Sequence, residues 1–225
     1  MDVTKASGMA QMLMNLESYL KKKNIITPKS EQAFENIRGE LTPLSDSGRW
    51  GYSTTKSEYI EFRKVKEKKA GEINIKLFGK FKVKKDQSND LIIEEMNFDF
   101  ETYRLNGEPV QRWHFDKAEP NCHEPIYHLH SGGSWNSTVE RPKELLDGPR
   151  WLCKPMDLIL VCEYIIAIFF PDDWKKIKCC PIWKAMVHDS ENCFLKPYYE
   201  TISEYFDKQQ PKKTLLESMW QSVEK

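Results

Sequence analysis

The sequence predicts an α+β protein built on an antiparallel meander sheet of five or six strands, with N-terminal helices and a C-terminal helical segment. Three observations predict it. Apolar residues recur at helical spacing near the N-terminus, the period changes to two between Trp50 and His130, and proline-bounded helical stretches return after Trp151. The chain reads as a single domain over 1–225. It divides into N-terminal helices (1–45), the sheet (48–131), a long loop (132–153) and C-terminal helices (154–225).

The first helix is expected over Gly8–Lys23, where Met9, Met12, Leu13, Leu16 and Leu20 share one face. Pro28 opens a second, short helix with Phe34 and Ile37 inward. Strands follow at Tyr59–Val65 and Ile73–Leu77, the latter continuing through Phe81 and Val83 past a bulge expected at Gly79. Further strands are expected at Leu91–Arg104, Val110–Asp116 and Ile126–His130. Ser131–Trp151, rich in Gly, Ser, Pro and charge, reads as a loop able to act as a lid. Pro155 is expected in the first turn of the apolar helix that Pro171 ends. A helix over Trp174–His188, kinked near Pro181, and one after Pro197 carrying Tyr198, Ile202, Tyr205 and Phe206 complete the chain.

Lys+Arg and Asp+Glu number 34 each, which argues against a general nucleic-acid coat while leaving room for a local basic patch. No secretion signal is visible. The longest apolar run, Leu158–Phe170, is too short for the ~20 residues of a membrane span. The six cysteines form no C-x-x-C pair, and together these features point to a cytoplasmic protein with reduced thiols and no membrane partner.

The most informative inference comes from two turns. Asn106-Gly107 is a strong signal for a two-residue hairpin of the primed type. That turn pairs Leu105 with Glu108, Tyr103 with Val110, Glu101 with Arg112, Asp99 with His114 and Asn97 with Asp116. The opposite face then holds Phe98, Phe100, Trp113 and Phe115. A second hairpin centred on Asn121 sets His114 opposite His128 and Arg112 opposite His130. Its rows would be Asp99–His114–His128 and Glu101–Arg112–His130. The candidate catalytic residues are therefore His114, His128, His130, Asp99 and Asp116, with carboxylates orienting imidazoles for acid–base work. Arg112 could hold phosphate. No metal ligand is assigned. A divalent ion stays open as a cofactor, but His-x-His without a third ligand favours metal-free use. The competing reading is an ordinary solvated face of cross-strand pairs.

Between Arg63 and Lys85, ten Lys/Arg stand against two acidic residues, and Lys76, Lys80, Lys82 and Lys84 share a strand face. Lys80 and Lys82 are candidate phosphate contacts, although a lysine-blunted edge strand is the favoured reading. Ser131-Gly132-Gly133-Ser134 reads as a turn. Glu163, alone in an apolar helix, is expected to pair with Arg150. The absence of a P-loop or nucleophile-elbow motif argues against a P-loop NTPase or α/β-hydrolase.

The run R-W-H-F-D, then H-E-P-I-Y-H-L-H-S-G-G, G-P-R-W and K-P-M-D before a helix ending F-F-P spans residues 112–171. It resembles uncharacterised prokaryotic proteins encoded near phage-defence and mobile-element genes. His114 stands where that pattern has Asp, with Asp116 two residues on. The resemblance implies a role for Arg112, Asp116, His128 and His130 in a bacterial defence or toxin–antitoxin setting. The function implied is nuclease- or phosphodiesterase-like, or that of a non-catalytic accessory or antitoxin-like subunit. The partners implied are a protein of a multi-gene defence system, with nucleic acid as a second candidate partner. The order helix, meander, loop, helices is also similar to ubiquitin-conjugating-type folds, for which Cys153 is the candidate reactive cysteine.

Overall fold

A computed structural model describes residues 2–44, 48–87, 90–120, 122–132, 149–208 and 212–221. Asn121, Gly133, Ser134 and most of the expected loop and lid (133–148) lie outside these residues. Helix α1 (Ala6–Lys22) buries the anticipated stripe of Met9, Met12, Leu13, Leu16 and Leu20. Pro28 opens a 3-10 turn leading into α2 (Glu31–Leu41), which buries Ala33, Phe34, Ile37 and Leu41.

The strands are β1 (Arg49–Ser53), β2 (Ile60–Glu67), β3 (Gly71–Lys85), β4 (Leu91–Arg104), β5 (Pro109–Lys117), β6 (Glu124–Pro125), β7 (Tyr127–Ser131), β8 (Trp151–Leu152) and β9 (Trp220–Gln221). The fold class is α+β, on an antiparallel sheet ordered β1-β3-β4-β5-β7-β8, with β2 also paired to β3. One aromatic-rich face, including Phe81, Phe98, Phe100 and Phe115, packs into a core shared with α1, α2 and α3.

The lysine-rich strand is not an edge. β3 pairs with β1 and β2 on one side and β4 on the other. Its lysines instead meet acids and rings. Lys80 and Lys82 lie 3.0 and 3.3 Å from Glu95, Lys84 lies 3.3 Å from Glu94, and Lys76 sits 4.2 Å from the Tyr59 ring centre. Nor is Gly79 a bulge. It stays in register opposite Phe98, and the irregularity falls between Lys82 and Val83. Glycine is needed at Gly79 because a Cβ there would come within 2.1 Å of the Asn97 carbonyl oxygen.

The first hairpin keeps its expected register from Asn97↔Asp116 to Glu101↔Arg112, but not its expected turn. Asn106 is not in the left-handed region, whereas Gly107 has φ +85°. Gly107 N–H donates to the Arg104 carbonyl and Arg104 N–H to that of Glu108, which closes a three-residue loop with glycine in the αL position. Tyr103 consequently faces Pro109, and a second irregularity between Thr102 and Tyr103 restores the register beyond it.

The second hairpin is offset by two residues from expectation. His114 faces His130 and Asp116 faces His128. The connection lengthens because Glu124 and Pro125 pair with Gln221 and Trp220, and Ile126 N–H donates to the Met219 carbonyl. A two-residue offset preserves the side-chain face, so the polar stripe survives with different neighbours.

Helix α3 (Leu158–Phe169) starts three residues after Pro155, because Asp157 caps it by accepting from Leu160 N–H. Pro171 ends it and opens α4 (Pro171–Ile177), and Pro181 opens α5 (Pro181–Ser190). A π-helical turn at Glu191–Leu195, unforeseen in the sequence, leads into α6 (Lys196–Asp207). No residue of α6 is fully buried, but Tyr198, Ile202 and Tyr205 form its half-buried side, with Tyr198 against the Tyr127 ring, while Phe206 is exposed. A short α7 (Leu215–Ser218) carries a Thr214/Glu217 capping box. Glu163 accepts from Trp183 Nε1 at 3.3 Å, and Arg150 pairs with Glu124 instead. Among the described residues, no helix is long and apolar enough to cross a membrane.

Candidate active site

The pairing of β4, β5 and β7 gives the rows Asp99–His114–His130 and Asn97–Asp116–His128. The expected rows, which had His128 beside His114 and His130 beside Arg112, are corrected accordingly. The side chains fall into two groups that share one face of the sheet.

The first group is a buried chain of charge. Arg112 Nη2 lies 2.8 Å from Asp99 Oδ2, and its Nε 3.2 Å from Glu101 Oε1. The Tyr103 hydroxyl donates to the other Glu101 oxygen. Asp99 Oδ1 meets His114 Nδ1, and His114 Nε2 lies 2.9 Å from the Gly132 carbonyl oxygen. Asp99, Glu101 and Arg112 are only 5%, 2% and 9% exposed, so this part of the stripe is not a solvated face. Burial pushes the Asp99 carboxyl up, but His114 and Arg112 outweigh it and hold the group below the usual carboxylate range. Both His114 nitrogens face oxygen acceptors. Its contact with the second group is through its ring, which stacks on His130 at 4.5 Å between centres and 7° between planes.

The second group lines a pocket of about 330 Å³ that includes Lys80, Asp116, Glu124, His128, His130 and Arg150. Asp116 Oδ1 accepts from Asn97 Nδ2 at 2.7 Å, while Oδ2 lies 2.9 Å from His130 Nε2 and 3.9 Å from His128 Nε2. His128 Nδ1 is 3.0 Å from the Pro125 carbonyl oxygen. A carbonyl only accepts, so in the neutral ring the proton sits on Nδ1 and the Nε2 lone pair is free. Nε2 is 3.9 Å from Glu124 Oε2, and the Glu124 carboxylate is held by Arg150.

His128, His130, Asp116 and Lys80 thus meet in the pocket. Arg112, Asp99 and His114 lie behind it as support, and Lys82 is engaged by Glu95 away from its lining. Glu124 and Arg150 were not legible as site residues, because Glu124 is drawn into place by pairing with a strand nearly 100 positions later in the chain. Gly132 has φ +104°, which favours glycine where its carbonyl meets His114. His114, Asp116 and His130 offer donor atoms within 4.8 Å of one another. Parallel stacked rings, however, direct their in-plane lone pairs side by side, so His114 and His130 do not converge on one ion. Burial pushes the Cys153 thiol up to about 12, which works against the thiolate that a ubiquitin-conjugating-type enzyme needs.

Compared with protein-family models, curated proteins and solved structures, the chain matches none.

Proposed function

We propose that the pocket is the working site of a nuclease- or phosphodiesterase-like enzyme, acting in a bacterial defence or toxin–antitoxin setting. The observation that carries this reading is His128, whose Nδ1 is committed to a backbone carbonyl and whose Nε2 faces the pocket between two carboxylates. His128 takes the proton of the attacking oxygen. His130, held by Asp116, supplies the proton to the leaving oxygen. Arg150 and Lys80 exchange their present carboxylate partners for phosphate oxygens.

The test is hydrolysis of an activated phosphodiester and of RNA and DNA by purified protein, alongside expression in a bacterial host. His128→Gln should lower kcat/KM by roughly 10²–10⁴-fold and relieve growth inhibition. Hydrolysis unchanged in that variant would sink the assignment.

A second reading, a non-catalytic accessory or antitoxin-like subunit, is favoured by the β8 edge. There Trp151 and Leu152 are 65% and 44% exposed. It gains if wild type and His128→Gln leave growth unaffected and capture the same protein partner.

A further inference from the structure

We propose that the cavity between the inner face of the sheet and α6 binds a small apolar carboxylate, whose charged end meets Lys117. This binding does not rest on the hydrolase reading above.

The cavity measures about 420 Å³, inside the ~300–1,000 Å³ range of small-molecule sites. At ~30 Å³ for each water-sized group it holds roughly a dozen non-hydrogen atoms. Its apolar wall includes Ile93 of β4, Tyr127 of β7, Phe194 of the π-helical turn and Met219 after α7. Ile93, Phe194 and Met219 are buried, whereas Thr201 and Ser218 at the rim are exposed. Lys117 borders both this cavity and the candidate active site. Alternation along β5 puts its side chain on the side of Phe115, opposite that of Asp116.

Among the described residues that line the cavity, Lys117 is the only charged one. It is half-buried, and among the described residues its ammonium has no ion-pair partner. Its Nζ donates to the Ile93 carbonyl, which spends one of three donors. Burial pulls the ammonium below the ordinary lysine range, against the attraction of Glu94. Glu94 acts from a distance, because its carboxylate is engaged by Arg49 at 2.6 Å and by Lys84 at 3.3 Å.

A cation drawn out of water without an acid is costly, and an incoming carboxylate offsets that cost. The hydroxyls around the cavity are spent internally. Thr201 donates to the Pro197 carbonyl at 3.0 Å, Ser218 to that of Thr214 at 3.0 Å and Tyr198 to that of Cys153 at 3.4 Å. A neutral ligand leaves the ammonium without its counter-charge, and a phosphate brings a second charge that no other lining cation meets. One negative charge on an apolar body of about twelve atoms is the remaining fit.

Calorimetric titration of the full-length protein with decanoate and 2-naphthoate tests this, with 1-decanol and acetate as controls that carry only one of the two properties. We expect one saturable site for at least one of the acids and no detectable binding of acetate. Lys117→Met, which keeps the length and removes the charge, should weaken the acid by about 10–100-fold and leave 1-decanol unchanged. Each methylene removed from decanoate should weaken it by about threefold to fourfold. Thr201→Trp, which narrows the exposed rim, should weaken the acid and the alcohol alike, with unchanged circular dichroism. Tighter decanoate supports the site and marks its ligand as aliphatic, and tighter 2-naphthoate supports it and marks the ligand as aromatic. No saturable binding of either acid, or acid affinity unaltered in Lys117→Met, overturns it.

Discussion

Arg112→Ala is expected to destabilise the protein by about 3–5 kcal/mol, read as a fall in the denaturant midpoint. The guanidinium lies between Asp99 and Glu101, both almost wholly buried, at 2.8 and 3.2 Å. Removing it leaves two buried carboxylates without the cation they share, and Asp99 keeps only its contact with His114. Lys56, 3.8 Å from Glu101, reaches only one of them. Arg112→Lys should also be costly, because a single ammonium does not reproduce a fork that meets both acids. The combination Arg112→Met, Asp99→Asn, Glu101→Gln should recover much of the loss, since it removes the charges together. A midpoint unchanged in Arg112→Ala would show that the chain of charge contributes little to the fold.

Asp157→Asn should flatten the dependence of stability on pH. Asp157 is fully buried, and burial pushes its carboxyl from the ordinary 3.8 up to about 6, against the opposing pull of Ser190 and the Leu160 N–H. The folded protein therefore keeps this proton at pH values where the unfolded chain has released it. The resulting stabilisation is present below pH about 4 and is lost as pH rises to about 6. The loss amounts to about 3 kcal/mol. Asparagine still accepts from Leu160 N–H and has no proton to lose, so the variant should overtake wild type at pH 7–8. Asp157→Ala, which loses the cap as well, should not. Equal slopes for wild type and Asp157→Asn between pH 4 and 6 would contradict this assignment.

Much of the sheet was legible because alternation sets faces, and faces tolerate errors of two residues. The aromatic side with Phe98, Phe100 and Phe115 fixed which side of β4 and β5 turned inward. The first register survived a wrong turn type because the three-residue loop and the irregularity at Tyr103 cancel. The second register was not legible. Its connection is set by pairing of Glu124 and Pro125 with Trp220 and Gln221, a long-range contact without local signature. The same contact hid Glu124 and Arg150 from the candidate site. The edge reading of β3 failed because lysines on an interior strand are tolerated where acids on the next strand meet them, as Glu94 and Glu95 do.

Base catalysis in the pocket requires His128 to present a free Nε2 while its Nδ1–H is spent on the Pro125 carbonyl. Long-range ¹H–¹⁵N correlation of histidine-labelled, metal-free protein reads this directly, with His128→Gln assigning the signal. The neutral His128 ring is expected to carry its proton on Nδ1. A neutral ring protonated on Nε2 would turn the lone pair away from Asp116 and Glu124 and would contradict it.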